Sequence, residues 1–284
     1  MKLVVGYLAT SGGADAVSLG VRLARTLGAD LELRMVVAPD DVTTPRVTSD
    51  KFQDVLAEQG SEWLDEARRL VPDDVKAQGA VLVGDSVAGA LSAEALRLDA
   101  EAIVVGGSGG GLVRSLSLGS LVDDLLHFAP VPVAVAPRGT RNSDLPRVRS
   151  VTCAIGDRPG AGRLLDTAVR ASKATGAPLR LVSLVALDEH GEEGVEAARK
   201  HANDALASAQ AALPKGSNVT AVVANGATIE AAVEDLDWQD GDLLMLGSSR
   251  LAPPRRLFIG STAARILRVL QVPIIVTPGD EEST

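Results

Sequence analysis

Short runs of apolar, β-branched residues alternate with longer stretches whose apolar positions recur every three or four residues, and the alternation continues from end to end of the chain. In the first part, KLVVGYL (2–8), DLELRMVV (30–37), KAQGAVLV (76–83), EAIVVG (101–106) and VPVAVA (131–136) read as strands. Amphipathic helical patterns lie between them, as in 14–28 and 50–71. The second part repeats the rhythm, with strands expected over 150–156, 178–186, 217–224, 242–247 and 272–277. Near-continuous apolar strands separated by helices predict βαβ units and a parallel sheet covered on both faces. The expected class is α/β, doubly wound and Rossmann-like.

The chain is also a repeat. LARTLGADLELRMVV (23–37) matches ASKATGAPLRLVSLV (171–185), with Gly28 and Gly176 standing 148 positions apart. Gly106 and Gly247, Gly119 and Gly260, and Pro132 and Pro273 are each 141 apart. Three landmarks sharing one offset point to duplication. Two tandem domains are expected, over 1–140 and 148–284, each with a five-stranded parallel sheet. The polar, proline-containing segment 137–149 reads as the linker. The last strands, 131–136 and 272–277, are expected to meet across a pseudo-twofold axis, each carrying a proline one residue in, as an edge strand tolerates.

Composition narrows the function. Of 284 residues, 46% are hydrophobic but only 2% aromatic, so the cores must be aliphatic and a ligand ring has few aromatic partners. A net charge of −9 without a basic stripe argues against nucleic-acid binding. The single cysteine, Cys153, lies in an apparent core strand and leaves neither an internal disulfide nor a cysteine metal cluster. No window approaches the apolar length of a membrane span, and the N-terminal run is too short for a signal peptide, so a cytoplasmic protein without membrane contacts is expected.

The glycine-rich run GGSGGGLVRSLSLGS (106–120) follows a strand directly, and GSSRLAPPRRLFIGS (247–261) is its thinner copy. Ligands of open parallel sheets sit at the carboxyl ends of strands. Glycines there let backbone N–H groups approach an anion, and a helix opening at Gly119-Ser120 would add free N–H groups. The spacing is G-x-x-G, nine residues, then G-S, filled by Gly106, Gly109, Gly119 and Ser120.

With that spacing the chain resembles the universal stress protein family, whose nucleotide-binding members carry this pattern after the fourth strand. The tails GSLVDDLLHFAPVPVAVAP (119–137) and GSTAARILRVLQVPIIVTP (260–278) look like the family's last helix and strand, so the resemblance covers the chain twice. It implies ATP binding, with or without Mg2+, and domains paired through their last strands as an intramolecular pseudo-dimer; a homodimer of whole chains remains open. Carried over by position, Val105 and Gly106 border ribose and phosphates. Gly109, Gly119, Ser120 and the Leu121 backbone hold phosphates, and the Val37 backbone meets adenine. Gly247, Gly260 and Ser261 are the second copy's counterparts. Arg114 and Arg255, each five positions before the G-S pair, offer a cation or are simply solvated.

Each copy departs from the family pattern. The acid that usually follows the first strand falls on Leu8, with no carboxylate before Asp15; in the second copy the place falls on Gly156, beside Asp157. Arg250 stands where the second copy's middle glycine is due. The first copy is expected to hold the better site. Asp123 and Asp124 favour the start of its last helix, and Ser120-x-x-Asp123 also reads as a capping box.

Other chemistries fit poorly. GGSGG contains G-x-S-x-G with Ser108 as nucleophile, but only His127, His190 and His201 are available as bases. G-K-[ST] is absent, excluding a P-loop, and the dinucleotide fingerprint breaks at Leu112. No catalytic residue or metal site is expected, and any ATP hydrolysis would be slow. The main reading is an ATP-binding stress-response or signalling module. Its rival is an interaction scaffold whose glycine loops are architectural, and a binder of another phosphate ligand is third.

Overall fold

The computed structural model describes residues 1–37, 60–107, 119–155, 161–211, 213, 218–248 and 257–279. The first half contains β1 (Lys2–Gly6), α1 (Ser11–Leu27), β2 (Asp30–Val37), α2 (described over 60–69), β3 (Ala77–Val83), α3 (Val87–Arg97), β4 (Ala102–Gly106), α4 (Ser120–Phe128) and β5 (Val133–Ala136). The second contains β6 (Ser150–Ala154), α5 (Ala161–Thr175), β7 (Leu179–Ala186), α6 (Leu187–Ala211), β8 (Val219–Gly226), α7 (Ile229–Glu234), β9 (Asp242–Gly247), α8 (Ser261–Val269) and β10 (Ile274–Thr277).

All ten expected strands form. They join in one sheet of order β3-β2-β1-β4-β5-β10-β9-β6-β7-β8. Pairing is parallel within each half. The last strands meet antiparallel, Val135 opposite Ile274, Ala134 opposite Ile275 and Val133 opposite Val276. Neither is therefore an edge strand. Pro132 and Pro273 precede the ladder instead of lying in it, so their missing N–H groups cost nothing there. Their carbonyls accept from Ile103 and Leu244 of the neighbouring strands.

Alternation along the strands sends apolar side chains to both faces. One face is covered by α1, α2, α5 and α6 over Leu3, Val5, Leu31, Leu33, Leu179 and Leu181. The other is covered by α3, α4, α7 and α8 over Val4, Ile103, Val133, Leu244 and Ile274. Both cores run without a break across the two halves. Cys153 is fully buried in the first of them, and burial pushes its thiol pKa up.

The linker is not a loose tether. Asp15, Ser18, Arg22 and Thr26 form one stripe on α1, and each binds linker backbone. The Asp15 carboxylate accepts from Gly139 N (3.1 Å) and from Arg141 N and Nη1 (both 2.9 Å). Ser18 Oγ donates to the Thr140 carbonyl (3.3 Å) and Arg22 Nε to that of Leu145 (3.3 Å). Thr26 Oγ1 accepts from Val148 N at 2.9 Å. The strap lies along α1 from its first turn to its last.

A charged cluster lies between β2 and α3. The buried Arg34 donates from Nη2 to Glu32 and from Nε to Glu94, both at 2.7 Å. Lys2 reaches Glu32 at 2.9 Å, and Arg97 reaches Glu94 at 2.6 Å. The Arg97 guanidinium, joined by Arg34 and opposed by burial, holds the Glu94 carboxyl at about 2, against an ordinary 4.5. The folded value is the lower one. Its stabilisation is therefore complete above pH 4.5 and disappears as pH falls towards 2, on the order of 3 kcal/mol at most. Urea midpoints measured across that window are expected to fall less steeply in Glu94→Gln than in the parent. Equal slopes would show that Glu94 does not drive the acid transition.

Candidate functional site

The strand order creates two equivalent switch points, where open parallel sheets form a ligand crevice at the carboxyl ends of the strands. The first lies between β1 and β4, the second between β6 and β9, where the connections on either side diverge. Each is bordered by the end of a strand and the start of a nine-residue helix, β4 and α4 in one half, β9 and α8 in the other.

The helix starts set these two elements apart. Helices α1, α3 and α7 are capped by side chains: Thr10, Ser86 and Thr228 each accept from the N–H three residues on. Helices α4 and α8 begin at Gly119 and Gly260 in extended conformation, with no side-chain cap. The first intrahelical donors are Asp123 N to the Gly119 carbonyl (3.0 Å) and Ala264 N to that of Gly260 (2.9 Å). Residues 120–122 and 261–263 thus present N–H groups without an intrahelical acceptor. Ser120 is the first helical residue and Gly119 the cap, so the expected capping box does not form.

The first crevice is narrow at its floor. Gly106 ends β4, and a β-carbon there would lie 1.9 Å from the Gly12 carbonyl oxygen in the first turn of α1. One at Gly13 would lie 1.8 Å from the Leu8 carbonyl. Backbone meets backbone, so the need for glycine at 106 is set by the chain itself. The sequence pattern starts α1 at residue 14; the helix begins three residues earlier because Thr10 caps it. The Gly12-Gly13 pair after β1 was the available signal.

Val37 ends β2 half-buried, and its carbonyl accepts from Gly84 N at 3.1 Å. Val105 is buried in β4, Leu121 is half-buried and Ser120 is exposed. Leu8, where an acid would be usual, is 47% exposed at the exit of β1. Asp15 is fully engaged by the linker. Gly109, Ser108, Arg114, Arg250, Arg255, Gly156 and Asp157 lie outside the described residues.

In the second crevice Gly247 is exposed, and among the described residues a β-carbon on it would meet only Leu164 Cδ2, at an ordinary 3.5 Å. Ser261 is exposed at the start of α8. The stretch leading into α8 is anchored on the other half: Leu257 N donates to the Ala129 carbonyl (2.9 Å) and Ile259 N to that of Leu126 (3.0 Å). Ser248 Oγ accepts from Phe258 N at 2.8 Å. The Phe258 ring meets His127 edge-on at 5.2 Å. His127 is thus a packing residue between the halves. Sequence reasoning also missed an ion cluster that joins α8 to α7 and α6, Arg265 with Glu230 and Asp188.

The family model of the universal stress proteins matches the chain twice, over residues 1–137 and 147–278. The chain belongs to the universal stress protein family. A universal stress protein of Mycobacterium tuberculosis is 29% identical over 293 aligned positions, covering 98% of this chain and all of the relative. The crystal structure of a universal stress protein from Archaeoglobus fulgidus superposes with a TM-score of 0.72 at 18% identity, covering 98% of each chain. A functionally unknown protein of Pseudomonas aeruginosa gives 0.60 at 18% identity, covering 98% of this chain and 92% of its own. At that identity the two structures establish the fold alone. This tandem universal stress protein has, among its described residues, no helix long and apolar enough to cross a membrane and no cluster of three metal-ligating side chains.

Proposed function

We propose that this universal stress protein binds an adenine nucleotide, ATP with or without Mg2+, as a stress-response or signalling module of the cytoplasm. The better site lies in the first of two domains, 1–140 and 148–284. One observation carries the reading: among α1, α3, α4, α7 and α8, the two helices that follow glycine-rich runs of the sequence are the two without a side-chain cap. Evolution of a plain turn has no reason to leave those N–H groups open while capping α1, α3 and α7 with Thr or Ser. An anion would complete both starts, favoured by the helix dipole.

In this reading the amides at Gly119, Ser120 and Leu121 hold phosphate with Gly109. Val105 and Gly106 border the ribose, and Val37 with its apolar neighbours faces the base. Gly247, Gly260 and Ser261 form the second seat. ATP bound here supplies a charge-dense group that draws loop and helix together. The protein acts as a binder rather than a hydrolase, because the family spacing brings no general base to the phosphates.

The competing reading, an interaction scaffold, is favoured by the Gly106–Gly12 contact, which explains that glycine without a ligand. Thermal unfolding with millimolar ATP separates the two. At a hundredfold excess over Kd, binding is expected to raise Tm by roughly 5 °C. Gly109→Val is expected to abolish the rise and Gly247→Val to leave it. No rise in the parent protein supports the scaffold, and loss through Gly247→Val alone moves the site to the second domain.

A further inference from the structure

The two helix starts lie on opposite edges of the sheet. Strands β4 and β5 are parallel, as are β9 and β10, but β5 meets β10 antiparallel. The carboxyl edge of one half is therefore the amino edge of the other. Val133, which opens β5, stands opposite Val276 near the exit of β10, and Thr277 stands beside Gly247 at the exit of β9.

Helix α4 crosses from one edge to the other. It follows β4 and returns to the start of the parallel β5, a span of about 13 Å at the usual rise per residue. Its first turn carries the N–H groups of the first seat. Its last turn ends where the second seat begins. The Leu126 carbonyl accepts from Ile259 N at 3.0 Å, and the Ala129 carbonyl from Leu257 N at 2.9 Å. Ile259 immediately precedes Gly260, the extended residue at which α8 starts. Leu257 and Ile259 are buried in the same core as Leu125, Leu126 and Ala129. Phe258, between them, meets the His127 ring edge-on, and its N–H donates to Ser248 Oγ at 2.8 Å. The approach to the second seat is thus held by the end of the helix whose beginning forms the first.

A helix this short is held by its ends and its packing, not by its own length. An anion at residues 120–122 satisfies N–H groups of the first turn and is favoured by the dipole. It therefore keeps α4 wound through to the carbonyls that hold 257–259. With those amides fixed, a second anion at Ser261 pays less ordering entropy. Building on the nucleotide reading above, we propose that α4 couples the two seats, so that nucleotide in the first prepares the second. The coupling is positive and, as an equilibrium effect, reciprocal.

Isothermal titration and amide hydrogen exchange test this on the full chain, with ATP as the probe. The parent is expected to take two equivalents. Ser261→Asp, which sets a carboxylate on the second helix start, confines ATP to the first seat and is expected to take one. As that one binds, exchange of the Leu257 and Ile259 amides is expected to slow about tenfold, within the usual range of coupling between sites. The Leu179 amide, bonded to the Asn218 carbonyl at 3.2 Å near the β8 edge of the sheet, is expected to stay unchanged. Gly247→Val replaces Ser261→Asp if circular dichroism shows that variant unfolded. A parent that takes a single equivalent, binding without change at 257 and 259, or equal slowing at Leu179 each overturns the coupling and leaves the nucleotide reading standing. No binding by the parent removes both.

Discussion

Arg34→Met is expected to lower the unfolding free energy by roughly 3–5 kcal/mol, the usual cost of removing one partner from a buried ion cluster. Glu32 and Glu94 are 3% and 7% exposed, and Arg34 lies between them with a 2.7 Å bond to each. Without it, two carboxylates share a low-dielectric space. Lys2 and Arg97 each still serve one of them, but both reach in from the surface. Urea denaturation followed by circular dichroism measures the loss. Replacing Arg34, Glu32 and Glu94 together with apolar residues of similar volume is expected to recover most of it, because no unpaired charge then stays buried. A single Arg34→Met that costs less than about 1 kcal/mol would show the cluster to be well hydrated.

Gly106→Ala and Gly247→Ala change the same position of the repeat and are expected to give opposite results. At 106 the new methyl group would lie 1.9 Å from the Gly12 carbonyl oxygen. The obstacle is backbone at the start of a helix, which no side-chain rotation relieves. Either α1 or the end of β4 must move by more than an ångström, at a cost of roughly 3 kcal/mol, the upper range for overpacking. At 247 the nearest atom among the described residues is Leu164 Cδ2 at 3.5 Å, and the change is expected to stay within about 0.5 kcal/mol. Thermal unfolding of the two variants side by side is the check. Equal destabilisation would mean that the floors of the two crevices are alike.

The strands were legible because β-branched runs seldom mean anything else when they recur between amphipathic helices. The pairing of the last strands followed from the repeat. Their prolines were misleading: Pro132 and Pro273 suggest edges, but a proline just ahead of a ladder is compatible with a central strand, and only the register tells the two apart. The linker's position was legible and its role was not. Asp15, Ser18, Arg22 and Thr26 look like an ordinary polar stripe until segment 137–149 is laid along them. Charged clusters were the least legible, because they depend on contacts distant in sequence. The place of Glu32 is taken in the second half by Arg180, which stacks 4.8 Å from the Trp238 ring and donates to Thr152 at 3.0 Å. For the candidate site, spacing alone located both helix starts. The absence of a side-chain cap at each, and the bonds of Arg265, needed coordinates.

Because one polypeptide carries both halves, the antiparallel seam between β5 and β10 forms within a single molecule. Dilution does not part them, as it parts two separate chains, because each half meets its counterpart at a concentration fixed by the polypeptide. Every molecule therefore contains one of each kind, never two alike. A defect acquired by one half is always matched with the same sound neighbour, which frees the two copies to drift into different trades.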